Sequence, residues 1–107
     1  MSDQDWHRVA DLDELEPGGV RMAKAGPRLI ALIRTEQGYS ALDNACPHMG
    51  GPLGQGMIED GRLVCPWHGR AYDPRTGECD GFAEGATVFE IERRDDGIYV
   101  AVPTENA

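Results

Sequence analysis

With 107 residues the chain has room for one small domain and not for two. Its formal net charge is −9, from 19 acidic against 10 basic residues, which argues against nucleic acid as a partner because phosphates would repel such a surface. No apolar run reaches the roughly 18 residues that a spanning helix needs. A basic protein surface is the natural complement, and charge steering would make that association fast and salt-sensitive. Met1 to Arg8 is polar and acidic and lacks a secretory signal pattern. The expected location is therefore cytoplasmic, where thiols stay reduced and cysteine more often means metal than disulfide. Met1 and the polar ends also lead us to expect a complete chain.

Taken in order, Trp6 to Ala10 reads as a strand, followed by one helical turn over Asp11 to Leu15 with Asp11 as its cap. Pro17-Gly18-Gly19 breaks the chain. Val20 to Ala25 and Arg28 to Thr35 read as strands around a Gly26-Pro27 turn, the second apolar enough to be central. Tyr39 to Leu42 is a further strand. Met57 to Glu59 and Arg62 to Val64 flank Asp60-Gly61, a strong hairpin signal. Arg70 to Asp73 is a short strand stopped by Pro74-Arg75-Thr76-Gly77. Thr87 to Arg93 alternates, with Phe89 and Ile91 on one side and Val88, Glu90 and Glu92 on the other. Asp95-Asp96-Gly97 reverses the chain into Ile98 to Val102. Short strands and frequent turns predict an all-β antiparallel sandwich or barrel.

Two turn-rich tips interrupt this pattern: Cys46-Pro47-His48-Met49-Gly50-Gly51 and Cys65-Pro66-Trp67-His68-Gly69. Together they read Cys-x-His, sixteen residues, Cys-x-x-His. Pro47 and Pro66 fix φ and lack a donor N–H, so neither tip can continue a helix or a central strand. Facing each other, the tips would make a cage of two thiolates and two imidazoles. Zinc accepts that donor set, but its usual arrangement pairs two cysteines in one loop and two histidines on a helix. A [2Fe–2S] cluster with Cys₂ on one iron and His₂ on the other suits two mixed tips better.

These tips resemble the Rieske iron–sulfur family, and the resemblance runs along the whole chain. It extends to Trp6, the Leu15-Glu16-Pro17-Gly18 turn, Tyr72-Asp73, Thr76-Gly77 and the closing hairpin. It implies a single Rieske [2Fe–2S] domain over residues 1–107, an antiparallel sandwich with a small cluster-binding subdomain of two loops at about 44–73. It further implies one cluster per chain, with Cys46 and Cys65 on the inner iron and His48 and His68 on the outer, more exposed one.

The departures place the chain within the family. Respiratory-complex members carry two more cysteines that form a disulfide; the matching positions here are Gly51 and Trp67. Arg70 stands where those proteins have a serine that donates to a bridging sulfide. Each missing donor leaves the reduced cluster less stabilised, so the resemblance is to the lower-potential, soluble ferredoxins of multicomponent oxygenase systems. Tyr72 pulls the other way, since its hydroxyl can bond a ligand thiolate. The segment Gly81-Phe82-Ala83-Glu84-Gly85 stands where nearby family members have a proline-bearing covering loop. Cys79 reads as an inert buried thiol, His7 as a surface residue, and Trp67 as an apolar shield.

Three histidines leave no 2-His-1-carboxylate iron site once two are committed, and no Gly-x-Gly-x-x-Gly follows a strand. The expectation is thus a monomeric one-electron carrier rather than an enzyme. It would pass electrons from a flavoprotein reductase to a terminal dioxygenase and dock near Met49, Gly50, Pro52 and Trp67. The alternatives are a small Rieske subunit of a larger reductase, as in assimilatory nitrite reductase, and a zinc-binding interaction module.

Overall fold

The computed structural model describes residues 4–36, 38–45, 51–67, 69–79, 81–82 and 85–103. Among them are nine strands and one short 3₁₀ turn, with no α-helix, so no helix is long and apolar enough to cross a membrane. The strands are β1 (Gln4–Ala10), β2 (Val20–Ala25), β3 (Arg28–Thr35), β4 (Gly38–Asp43), β5 (Met57–Glu59), β6 (Arg62–Val64), β7 (Ala71–Tyr72), β8 (Val88–Arg94) and β9 (Gly97–Pro103). The 3₁₀ turn, Leu53–Gln55, lies between β4 and β5. All pairings are antiparallel, in a large sheet ordered β1-β9-β8-β4-β3-β2 and a small one ordered β5-β6-β7. The predicted all-β architecture is the one observed.

The large sheet is two halves, β1-β9-β8 and β2-β3-β4, joined only at Ala41↔Phe89 and Leu42↔Val88. The halves enclose one core, in which Ile30, Leu32 and Ala41 meet Phe89, Ile98, Val100 and Val102. Strand periodicity then sends the alternate residues Ala31, Ile33 and Leu42 to the opposite face. That face packs against Leu53, Leu63, Cys65, Tyr72, Cys79 and Ala86 as a second core. The unbroken apolar run Ile30-Ala31-Leu32-Ile33 has this cause: β3 is covered on both sides. β3 and β4 thereby couple the sandwich to the small sheet. Fully buried Leu42, Leu53 and Leu63 make that joint firm, since truncating one such side chain to alanine costs about 2–5 kcal/mol.

One local expectation fails. Asp11 to Leu15 is a turn and not a helical one, because Asp13 takes φ 61°, which an α-helix cannot contain. Glu14 N–H donates to the Asp11 carbonyl at 3.2 Å, and Asp11 N–H to Glu14 Oε1 at 2.8 Å. The Asp11 carboxylate pairs with Arg8 and caps nothing. His7 is half-buried rather than a free surface residue, with its ring against Gly26, where an added Cβ would lie 2.7 Å from it.

After β7, Asp73 organises the loop that ends the small sheet. Its Oδ1 accepts the Arg75 N–H at 2.8 Å and the Thr76 N–H at 3.4 Å, and Oδ2 faces Arg62 Nη1 at 3.1 Å. These donors, the Arg75 amide foremost, hold the carboxyl below its ordinary value of 3.8. A depressed folded pKa contributes stability above the unfolded value and loses it as pH falls through the folded one. Asp73→Asn is therefore expected to cost about 1–2 kcal/mol at neutral pH. In urea titrations at stepped pH the gap to wild type should close as pH drops below 3.8; a gap that stays constant in acid would contradict this assignment.

Candidate metal centre

The two tips leave the fold from adjacent places. The first is closed at its base by a short bridge, Ala45↔Pro52. Asn44, buried just before it, accepts Leu53 N–H on its carbonyl at 2.8 Å and Gly54 N–H on Oδ1 at 2.7 Å. Asp43 Oδ1 accepts the Ala45 N–H at 3.1 Å. One asparagine thus satisfies both amides where the chain re-enters the fold, a location where a buried unpaired N–H costs about 1–3 kcal/mol. The second tip links β6 to β7: Cys65 N–H donates to the Arg70 carbonyl at 2.9 Å, and Gly69 N–H to the Cys65 carbonyl at 3.0 Å. Gly69 sits at φ 72°, a left-handed angle at which its lack of a Cβ matters.

Of the four residues the sequence singles out, Cys65 is described; Cys46, His48 and His68 lie outside the described residues. Cys65 is a free thiol, 2% exposed, in the second core with fully buried Tyr72. Its neighbour across the gap is Gly51, the last residue of the first tip. An added Cβ on Gly51 would lie 2.9 Å from the Trp67 ring and 3.2 Å from Cys65 Sγ. The tips therefore approach closely enough that position 51 has no space for a side chain. Gly51 and Trp67, at which respiratory relatives would carry a disulfide, are in contact, with the indole in place of a sulfur bridge. A buried thiol, backed by an apolar core on a tip packed closely against Gly51 of the other tip, is chemistry that fits an iron–sulfur cluster. Among the described residues no group of three metal-binding side chains gathers.

Around this point Trp67 is 56% exposed and Pro52 half-buried, while Met49 and Gly50 lie outside the described residues. Cys79 is 5% exposed in the same core and forms an isolated backbone bridge with Tyr72. Sequence reasoning missed two features. Asn44 carries a visible signal, as an Asx residue before a Gly/Pro-rich loop. The Arg70 guanidinium, 3.7 Å from the Phe82 ring centroid, carries none, because the two meet only through tertiary structure.

Comparison with known proteins agrees with this geometry. The family model described as the Rieske [2Fe-2S] domain matches residues 5–92. The anthranilate 1,2-dioxygenase ferredoxin subunit of Burkholderia cepacia is 31% identical over 92% of this chain and 93% of its own length. Apoptosis-inducing factor 3 of Homo sapiens is 31% identical over 86% of this chain, which spans only 16% of that much longer protein. Among solved structures, a chain of the complex of reduced oxygenase and oxidized ferredoxin in carbazole 1,9a-dioxygenase superposes with a TM-score of 0.82 at 26% identity, covering 95% of this chain and 97% of that one.

Proposed function

Because the chain belongs to the Rieske [2Fe–2S] domain family, we propose that it is a one-electron carrier between a flavoprotein reductase and a terminal oxygenase. The observation that carries this reading is the near end-to-end match to a dioxygenase ferredoxin subunit, 93% of whose length this chain covers. Cys46 and Cys65 are assigned to one iron and His48 and His68 to the other, on a subdomain at about 44–73 of one domain spanning 1–107. When bound, the cluster supplies reversible one-electron redox chemistry at an imidazole-ligated, more exposed iron.

The chain's own residues do the rest. The second core keeps water from Cys65, so its sulfur meets the cluster in an apolar setting. Gly51, lacking a Cβ, lets the two tips approach, with Trp67 packed against it. Pro52 and Trp67 are the described residues of the proposed docking rim, to which Met49 and Gly50, outside the described residues, are also assigned. Among the described residues basic side chains pair locally with acids, Arg28 with Asp43 at 3.5 Å for one, yet the net charge of −9 remains to steer a basic partner. The proposed setting is the cytoplasm, and the proposed state a monomer.

The test uses the purified, iron-loaded chain with a flavoprotein ferredoxin reductase of an oxygenase system and cytochrome c as acceptor. Electron flow should depend on the chain's concentration and slow as salt is raised through about 0.5 M. No flow at any salt concentration would sink the carrier reading. A second reading, a Rieske unit working as a fixed part of a larger reductase, is favoured by the match to much longer proteins. Stable co-purification with a large subunit would select it.

A further inference from the structure

β4 and β8 form the seam at which the two halves of the large sheet meet, and the seam stops short. Its rungs are Asp43 with Thr87, where the Asp43 N–H donates to the Thr87 carbonyl at 2.8 Å, and then Ala41 with Phe89. Antiparallel strands turn their N–H and C=O toward a given neighbour at every second residue, so the next rung would join Tyr39 to Ile91. That rung is missing: Tyr39 pairs with Arg34 of β3 and Ile91 with Val100 of β9, but not with each other. Arg93, two residues on, turns the same way and is likewise laddered to β9 alone. Beyond Phe89 the β8 edge therefore presents backbone donors and acceptors without a strand partner, the kind of edge that an added strand completes.

Beside this edge lies a solvent-open hollow of about 500 Å³, within the range of about 300–1,000 Å³ common for ligand sites. Trp6 and Val88, 37% and 40% exposed, give it apolar walls. Glu90 and Glu92 line it opposite Arg75, which leaves the lining acidic. Arg94 holds Glu92 at 2.9 Å, whereas Glu90 forms no ion pair among the described residues. An open strand edge, apolar walls and an unpaired acid together fit an extended chain that carries positive side chains on aliphatic stems. The gap lies at the Gly38 end of β4, about 14 Å along the strand from the Asp43 end that leads into the first tip.

We propose that the gap between β4 and β8 is a docking site for an extended basic peptide segment of a partner protein. The segment adds a short strand to the β8 edge at Ile91 and Arg93 and sets a cation against Glu90. A partner held there leaves both tips uncovered, so the inference stands apart from which residues hold the cluster.

The experiment titrates the isotope-labelled full chain with the octapeptide acetyl-(Lys-Val)₄-amide and reads amide and indole shifts by NMR. Saturable shifts are expected at the Ile91 and Arg93 amides and at the Trp6 indole, with affinity falling as salt is raised. Glu90→Lys should weaken binding about tenfold. A peptide N-methylated throughout keeps the charges and loses the donors, and should bind at least about tenfold more weakly. The acidic counterpart acetyl-(Glu-Val)₄-amide should not bind. Absence of saturable shifts, or equal affinity for the N-methylated peptide, would overturn the proposal. So would the same shifts appearing without peptide as the chain's own concentration is raised, since the occupant would then be a second copy.

Discussion

Cys65→Ala is expected to give a folded, colourless chain that takes up no [2Fe–2S] cluster, whereas Cys79→Ala should keep it. The two cysteines make a matched pair. Both are buried cysteines, 2% and 5% exposed, in the same apolar core. As packing, each substitution removes one sulfur atom from that core and should cost about 1–2 kcal/mol. Their chemistry differs. Cys65 heads the second tip and lies close to Gly51 of the first, while Cys79 is tied by backbone to Tyr72 on the far side of β7. On the proposed assignment, loss of one of four ligands would abolish the site, and with it the stability that metal binding adds to the fold. Iron analysis and visible spectra of the two variants, reconstituted side by side, decide the matter. An intact Rieske spectrum in Cys65→Ala, or its loss in a folded Cys79→Ala, would refute the assignment.

Gly56→Ala should be among the most damaging single-methyl changes in the chain's site-bearing half. Gly56 ends the 3₁₀ turn with φ −78°, an angle alanine adopts freely, so the cost is steric and not conformational. A Cβ there would stand 2.1 Å from the Val64 carbonyl oxygen and 3.2 Å from that of Leu53. Both neighbours are backbone and cannot swing away, and Val64 directly precedes Cys65. Relief requires β5 to separate from β6, at about 2–3 kcal/mol. That corresponds to a melting temperature lower by about 10–20 °C for a domain of this size. Calorimetry checks it. A shift within about 2 °C of wild type would mean that the small sheet yields more easily than its packing implies.

Much of the fold was legible because punctuation residues stood where the chain turns. β2, β3, β5 and β6 run between the residues predicted for them, since Gly26-Pro27 and Asp60-Gly61 each allow essentially one kind of hairpin. The other strands came out within one or two residues at each end, as ends without such signals do. The Asp11 to Leu15 turn was misread because short acidic segments satisfy a helical pattern, while Asp13 is free to take a left-handed angle. Leu53–Gln55 was invisible, three residues being too few to show a period. At the centre, residue type and spacing in the Cys/His tips favoured a [2Fe–2S] cluster but left zinc open, and the family resemblance chose the cluster. That Cys65 shares a core with Ile33 and Leu42, and that Arg70 stacks on Phe82, depends on which strands pair, and no local pattern encodes that.

The most direct test of the central claim is electron paramagnetic resonance of the purified, dithionite-reduced chain, with metal analysis of the same sample. The account predicts two irons per chain and a rhombic signal whose average g lies below that of all-cysteine [2Fe–2S] clusters, because two imidazoles replace two thiolates on one iron. A silent, colourless sample holding one zinc would contradict it.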